Sequence, residues 1–354
     1  MTDFHQSLAR AWQRRAPWLS LLLPLEWLFR AAVALRCCAY RWGVAQCYRA
    51  PVPVVVVGNI ALGGTGKTPM IIGLVNALER EGIRVGVVSR GYGRQDVDLQ
   101  MVTADSDVTR VGDEPLLIVR RTGCACVVAP SRVDAVKALV ERCNVQIVLS
   151  DDGLQHYALA RDLEIVLYDA QQGFGSGHCL PVGPLREPLS RLRQADIVLA
   201  KVAAPAPDSL YLEYGECVNL VTGQRANPSR GLFTGNVYAY AGIARPEAFF
   251  DALATLGIDA HGRAFRDHHP FTAQDFHDVA NSTVIMTEKD AVKCTAFATP
   301  NMWYLQVNVH VPEVVYAAIR TLLTVPRSLR GDSRTARSGG SSDDPATDPN
   351  NEKG

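Results

Sequence analysis

What this sequence lacks narrows it before any motif is read. It has no net charge: 36 Lys and Arg balance 36 Asp and Glu over 354 residues. No global field therefore draws it to nucleic acid, and no nucleic-acid partner is expected. Its nine cysteines contain no C-x-x-C pair, which argues against a disulfide framework. Cys124 and Cys126 alternate within an apolar run and read as small buried hydrophobes in a reducing compartment. No internal repeat is visible, so a solenoid is not expected. Nor is any apolar run of membrane-spanning length unbroken. Residues 18–35 read WLSLLLPLEWLFRAAVAL, and Pro24, Glu26 and Arg30 interrupt them.

That interrupted run is informative in its own right. Arg10, Arg14 and Arg15 precede it, Arg36, Arg41 and Arg49 follow, and Trp12, Trp18, Trp27, Tyr40, Trp42 and Tyr48 punctuate it. Such rings favour the headgroup level of a bilayer. A signal peptide would show a small-residue cleavage site after a purely apolar core, and it would export whatever follows. An amphipathic helix lying in the membrane interface fits better; the alternative is a core helix packed on the rest of the protein. At the other end, residues 326–354 are rich in Ser, Asp, Arg, Gly, Pro and Asn with almost nothing apolar, and disorder is expected.

With 47% apolar residues, the chain can bury a sizeable core. Val54-Val55-Val56-Val57 runs into Gly58-Asn59-Ile60-Ala61-Leu62-Gly63-Gly64-Thr65-Gly66-Lys67-Thr68, a strand entering a glycine-rich loop that ends in Gly-Lys-Thr. Backbone N–H groups of such a loop cradle phosphate oxygens, Lys67 reaches the β- and γ-phosphates, and the Thr68 hydroxyl can ligand Mg²⁺. ATP contacts are expected from residues 61–68: Ala61, Leu62, Gly63, Gly64, Thr65, Gly66, Lys67 and Thr68. The strict pattern has glycine where Ala61 stands.

Short apolar runs at 54–58, 84–89, 125–129, 146–150, 164–168 and 196–200 alternate with helical patterns at 68–81, 114–122 and 132–143. This predicts an α/β fold with a parallel sheet covered on both faces and ligands at the carboxyl ends of its strands. A second, smaller α/β lobe is expected from strands at 237–241, 283–287 and 303–309 and helices at 246–256, 273–280 and 312–323. The expected division is a helical segment at 1–50, a P-loop core at 51–230, a C-terminal lobe at 231–325 and a tail at 326–354.

Several residues could carry chemistry. Asp151 and Asp152 end a strand and suit the Mg²⁺ side of a P-loop site, or cap a turn before Gly153; His156 follows closely. Asp113, with Glu114 beside it, is placed equally well as a helix N-cap and as the carboxylate that deprotonates an acceptor hydroxyl. Arg90-Gly-Tyr92-Gly-Arg94 is a basic turn suited to an anion or simply to solvent. The Pro/Gly-rich segment 180–188 presents Arg186, with Glu187 beside it, to phosphate. His268 and His269 follow Asp267 without a third ligand at zinc-like spacing. Thr287-Glu288-Lys289-Asp290 is a strand-end site or surface.

Together these blocks resemble one family, tetraacyldisaccharide 4′-kinase of Gram-negative bacteria, from about residue 12 to 324. The resemblance rests on PVPVVVVGNI with GGTGKTP ending at Pro69, SRGYG ending at Gly93, GDEP ending at Pro115, SDDGLQH ending at His156, GPLREP ending at Pro188, FRDHH ending at His269, and TEKD ending at Asp290. Leu154 stands where many members have Phe, and the family relaxes the glycine at 61. The resemblance implies transfer of the ATP γ-phosphate to the 4′-hydroxyl of a tetraacylated disaccharide 1-phosphate at the cytoplasmic face of the inner membrane. It implies Asp113 as the catalytic carboxylate paired with His268, catalysis aided by Lys67, and Thr68, Asp151, Asp152 and Glu114 around Mg²⁺. Arg90, Tyr92, His156, Arg186 and Glu187 are then substrate contacts. The partners implied are a lipid in the bilayer and the membrane surface, with no obligate protein partner. A membrane-recruited ATPase switch is the main competing reading, but its loop carries a Lys where Ala61 and Leu62 stand. A GTPase should show Asn-Lys-x-Asp, which the Thr287–Asp290 spacing does not supply.

Overall fold

The computed structural model describes residues 16–325 together with Leu8, Ala11, Trp12 and Arg14; the tail expected to be disordered (326–354), Arg10 and Arg15 lie outside the described residues. Strand β1 (Val54–Gly58) is buried along its whole length. β-branched residues stack well on a pleated surface, and burial on both faces marks an interior strand of a covered sheet. β1 pairs in parallel with β5 (Ile147–Asp151) on one side and β6 (Leu163–Asp169) on the other. Its alternate side chains enter separate cores. Val55 and Val57 join Met70, Ile71 and Leu74 of the helix Lys67–Arg80. Val54 and Val56 join Ala135, Val136 and Leu139 of the helix Arg132–Cys143.

The remaining strands are β2 (Val85–Ser89), β3 (Gln100–Val102), β4 (Ala125–Val128), β7 (Ile197–Val202), β8 (Leu210–Asn219), β9 (Arg225–Ala226), β10 (Val237–Ala241), β11 (His261–Ala264), β12 (Thr283–Thr287) and β13 (Met302–His310). They form one sheet in the order β11-β10-β12-β13-β8-β7-β6-β1-β5-β2-β4-β3, with β9 added to β8. Pairing is parallel except at β3–β4, β8–β13 and β8–β9. The α/β architecture with mostly parallel strands is the one the sequence pattern implies. The sheet does not break near residue 230, where two lobes were expected to divide. β8 joins them, parallel to β7 and antiparallel to β13, while the second half keeps its own cores around Phe249 and Leu253 and around Tyr240 and Phe276. The expected helix at 273–280 is a 3-10 turn, Ala273–Val279.

At the N-terminus, a 3-10 turn (Pro17–Leu22) leads into the helix Leu23–Arg41. By length and composition this unit could cross a membrane, and only 11% of its apolar window is buried. Leu21, Leu25, Trp27, Leu28 and Leu35 are all exposed, so the core-helix alternative does not hold. The helix's one buried residue is Glu26.

Candidate active site

The loops after β1, β2, β5, β11 and β12 carry the candidate site, together with the turn that opens the helix at Asp113. After β1, Gly66 adopts a left-handed φ of 86° as N-cap, and Lys67 and Thr68 open the helix, so its first N–H groups face the loop's hollow. Lys67 Nζ donates to Asn59 Oδ1 at 3.3 Å and lies 3.5 Å from Asp152 Oδ1. Asn59 is fully buried and donates to the Gly63 carbonyl at 3.3 Å, bracing the loop from below. Ala61 is tolerated in place of glycine because it sits in an antiparallel bridge to Leu185, a geometry open to any residue. Around it, the Leu62 N–H donates to the Pro184 carbonyl at 2.9 Å and the Arg186 N–H to the Ile60 carbonyl at 2.7 Å. The Gly64 carbonyl accepts from Lys201 Nζ at 3.4 Å, and Thr65 is buried beside it.

Asp152, with a left-handed φ of 48°, lies between Lys67 and Arg186, the latter at 2.8 Å. Burial pushes its pKa up, but these two cations outweigh it and hold the carboxyl below its ordinary value. Among the described residues no such cation forms an ion pair with the Asp151 carboxylate. Its Oδ2 accepts from Ser89 Oγ at 3.2 Å, and burial, then the Glu114 charge, raises its pKa to about 7. Oδ1 of Asp151 and Oδ1 of Asp152 are buried without a hydrogen-bond partner among the described residues. Among those residues there is no cluster of three or more His, Cys, Asp or Glu, so an all-protein metal cage is absent. Mg²⁺ needs none: it binds through one or two carboxylates plus phosphate and water oxygens, and the unpartnered Asp151 Oδ1 beside Asp152 Oδ1, which among those residues only the ion pair with Lys67 engages, fits that demand.

The second half of the chain supplies the partner of Asp113. Asp113 is buried at 5% exposure and is the first residue of the helix Asp113–Thr122, whose N-cap is Gly112. Its Oδ1 accepts the adjacent Glu114 N–H at 2.9 Å, and its Oδ2 faces His268 Nδ1 at 2.9 Å. It is therefore not the N-cap that the sequence left open. His268 has a left-handed φ of 56°, and its N–H donates to the Gly242 carbonyl at 3.1 Å. On the far side of the ring, Lys289 Nζ lies 3.2 Å from Nε2 and 2.9 Å from Glu114 Oε1. Because Lys289 can only donate, the neutral ring carries its proton on Nδ1, toward Asp113. Burial raises the Asp113 pKa, yet the His268 hydrogen bond and the Lys289 charge bring it below the ordinary value. Burial lowers the His268 pKa, and the Asp113 hydrogen bond more than offsets this.

The basic turn after β2 closes the site. A Cβ on Gly91 would meet the Val111 carbonyl oxygen at 2.5 Å, so two backbones touch here and the turn lies directly beside Gly112 and Asp113. Arg90 is exposed, and the Tyr92 ring sits 4.9 Å from the His268 ring. Burial, with the nearby Arg132, Arg90 and Arg36 charges, lowers the His156 pKa to about 4, so this imidazole is neutral at ordinary pH.

One expected substrate contact is corrected. Glu187 is 1% exposed; its oxygens accept from Gln155 at 2.6 Å and Tyr157 at 2.6 Å and pair with Arg191 at 3.1 Å. With both oxygens engaged inside the protein it braces the segment that presents Arg186. Glu114, expected near Mg²⁺, spends one oxygen on Lys289 while its charge still reaches Asp151. Asn59 was overlooked as a loop brace although it precedes the glycines. Arg132, buried with its NH2 donating to the Asp151 carbonyl at 2.9 Å, carried no sequence signal beyond its place at a helix start.

The chain is similar to known proteins along most of its length. The family profile described as tetraacyldisaccharide-1-P 4′-kinase matches residues 18–324. The tetraacyldisaccharide 4′-kinase of Azotobacter vinelandii is 49% identical over 315 residues, 88% of this chain and 94% of that one. That of Pseudomonas fluorescens strain SBW25 is 47% identical over 305 residues, 85% and 91% of the two chains. The crystal structure of LpxK from Aquifex aeolicus in complex with ATP superimposes with a TM-score of 0.70 at 26% identity, covering 86% of this chain and 99% of that one. A match that runs from the N-terminal helix to the last helix takes in every loop of the site, and the chain belongs to the tetraacyldisaccharide-1-P 4′-kinase family.

Proposed function

We propose that this protein transfers the γ-phosphate of ATP to the 4′-hydroxyl of a tetraacyldisaccharide 1-phosphate, forming lipid IVA in lipid A biosynthesis. The observation that carries this reading is the Asp113–His268 pair, 2.9 Å apart, beside Glu114, whose charge reaches Asp151. A sugar hydroxyl scarcely ionises at neutral pH, so a carboxylate must take its proton as the new P–O bond forms. Asp113 stays ionised because its pKa is held down, and His268 orients it. Lys67, with Arg186 across Asp152, offsets the charge that develops on the transferred phosphoryl group and the leaving diphosphate. Thr68, Asp151 and Asp152, with Glu114 nearby, are the residues that would hold Mg²⁺, which would supply further charge neutralisation. Arg90 and Tyr92 stand where the acceptor's anionic head would lie.

The acceptor never leaves the bilayer, which gives the exposed apolar face of the Leu23–Arg41 helix its purpose. We place the protein at the cytoplasmic face of the bacterial inner membrane, where ATP is available, with the lipid and the membrane surface as its partners and no obligate protein partner. Purified protein in mixed micelles should label the disaccharide 1-phosphate lipid from γ-labelled ATP. A folded preparation that hydrolyses ATP without ever labelling the lipid refutes the assignment.

A further inference from the structure

The N-terminal helix is docked by a carboxylate. Glu26 is 1% exposed, whereas Leu25, Trp27 and Leu28 on the same turn and the next are more than half exposed. A carboxylate is retained in such a place only when its oxygens are engaged. Glu26 Oε1 accepts the Cys179 N–H at 2.8 Å, and Oε2 lies 2.8 Å from His178 Nδ1; Arg30, one turn on, is 3.9 Å away. Trp12 Nε1 donates to the Pro181 carbonyl at 2.9 Å. His178, Cys179 and Pro181 stand at the start of the segment 178–188.

The other end of that segment is held by the same helix. Tyr40 and Arg36 rest against Tyr157, at 6.0 and 5.8 Å from its ring centre, and the Tyr157 hydroxyl donates to Glu187 at 2.6 Å. Within the segment, the Leu180 N–H donates to the Leu185 carbonyl at 2.9 Å and the Leu185 N–H to the His178 carbonyl at 3.2 Å. The next residue, Arg186, reaches Asp152, while its backbone and that of Pro184 bond Ile60 and Leu62 of the phosphate loop. Hydrogen bonds and the adjoining peptide units thus link Glu26 to the phosphate loop.

We propose that Glu26 is a positioning residue for phosphoryl transfer: it keys the membrane-seeking helix into the 178–188 segment and thereby sets Arg186 and the opening of the phosphate loop. The helix is then part of the catalytic scaffold as well as an anchor, and the seating of the protein on the bilayer bears on turnover. This rests on the reading of Arg186 as a phosphate-side residue of a lipid kinase.

The test is a double-mutant cycle on the full chain in mixed micelles, with E26A, E26Q, R186A and E26A/R186A assayed for lipid labelling at saturating ATP. E26A should lower kcat about tenfold, within the ~100-fold that a 1 Å misplacement can cause, with vesicle flotation unchanged. E26Q, which still accepts the Cys179 N–H, should recover most of the turnover. In the R186A background E26A should cost less than about twofold, because residues acting through one interaction are not additive. Wild-type turnover in E26A, equal damage in E26Q, or penalties that multiply would each overturn the proposal. Should E26A not fold, H178A, at a side chain 45% exposed, carries the same cycle. Wild-type labelling tests the kinase reading separately, and an R186A variant with full turnover removes the role given to Arg186 and the proposal with it.

Discussion

Replacing Asp113 by Asn removes the proton acceptor while changing almost no volume. The general-base contribution at stake is about 10²- to 10⁴-fold in rate, or roughly 3–5 kcal/mol of barrier at 1.36 kcal/mol per tenfold. The substitution also has a structural cost. In the native site both carboxylate oxygens accept, one from the Glu114 N–H and one from His268. An amide has a single acceptor oxygen, so one buried donor loses its partner whichever way the Asn is turned, at a cost of about 1–3 kcal/mol. The two effects separate experimentally. Turnover on the lipid at saturating ATP should fall at least a hundredfold, calorimetric ATP affinity should change little, and the melting temperature should drop by a few degrees. A folded Asp113→Asn protein with turnover within about threefold of wild type would show that Asp113 serves only the helix start and would remove the base from the mechanism.

Other outcomes follow from the same geometry. Lys67→Ala empties the space between Asn59 and Asp152 and should cut phosphoryl transfer by more than about 100-fold; activity within tenfold of wild type would contradict its place at the phosphates. Gly91→Ala puts a Cβ 2.5 Å from the Val111 carbonyl at a φ of +66°, so backbone strain of about 1–2 kcal/mol plus the clash should lower the melting temperature and misalign Asp113; an unchanged melting curve would show that the contact is loose. The stability of the Asp113–His268 pair should depend on pH in a defined direction. The His268 pKa is raised, so its contribution is complete below the ordinary 6.5 and is lost as pH rises through the raised value. The Asp113 pKa is lowered, so its contribution is complete above 3.8 and is lost as pH falls through the lowered value. The melting-temperature gap between wild type and His268→Gln should therefore be widest between those limits and shrink on the alkaline side, and a gap that widens above pH 7 would contradict it.

Strands β1, β10 and β12 were legible to the residue because each is a short β-branched or aromatic run bounded by turn residues. β8 was not, although it joins the two halves of the sheet. Its residues LYLEYGECVN mix buried and half-exposed positions with two glutamates and a glycine, and what orders it is pairing with β7 and β13, a tertiary effect absent from local pattern. The site divided in the same way. The phosphate loop, Asp151 and Asp152 sit directly after strands and declared themselves, and Asp113 was left between base and cap. Glu187 was misplaced because a carboxylate beside Arg186 looks the same in sequence whether it faces the cleft or the interior. Glu26 looked like a blemish in an apolar run; only the loop folded against it shows why a charge stands there.

The dyad depends on the join that the sequence concealed. Asp113 comes from the half of the sheet around β2, β4 and β5, His268 from the half around β10 and β12. A 2.9 Å contact between them requires the halves to hold register to within a fraction of an ångström. The continuous sheet through β8 supplies that stiffness: β8 pairs along most of its length with β13, and Leu210 and Tyr211 at its start pair with β7. Ion pairs cross the same boundary, among them Arg121 with Glu288 at 2.7 Å, nearly buried, and Lys289 with Glu114 at 2.9 Å. Breaking a buried pair by removing one partner strands the other charge, at about 3–5 kcal/mol, so the halves resist separation beside Asp113 and His268. Lys289 adds a second function there, because it holds Glu114 while fixing the His268 tautomer. The proposed base is thus oriented and kept ionised by His268 and Lys289 of the other half, while the opening of the phosphate loop is bonded to the segment that the N-terminal helix grips.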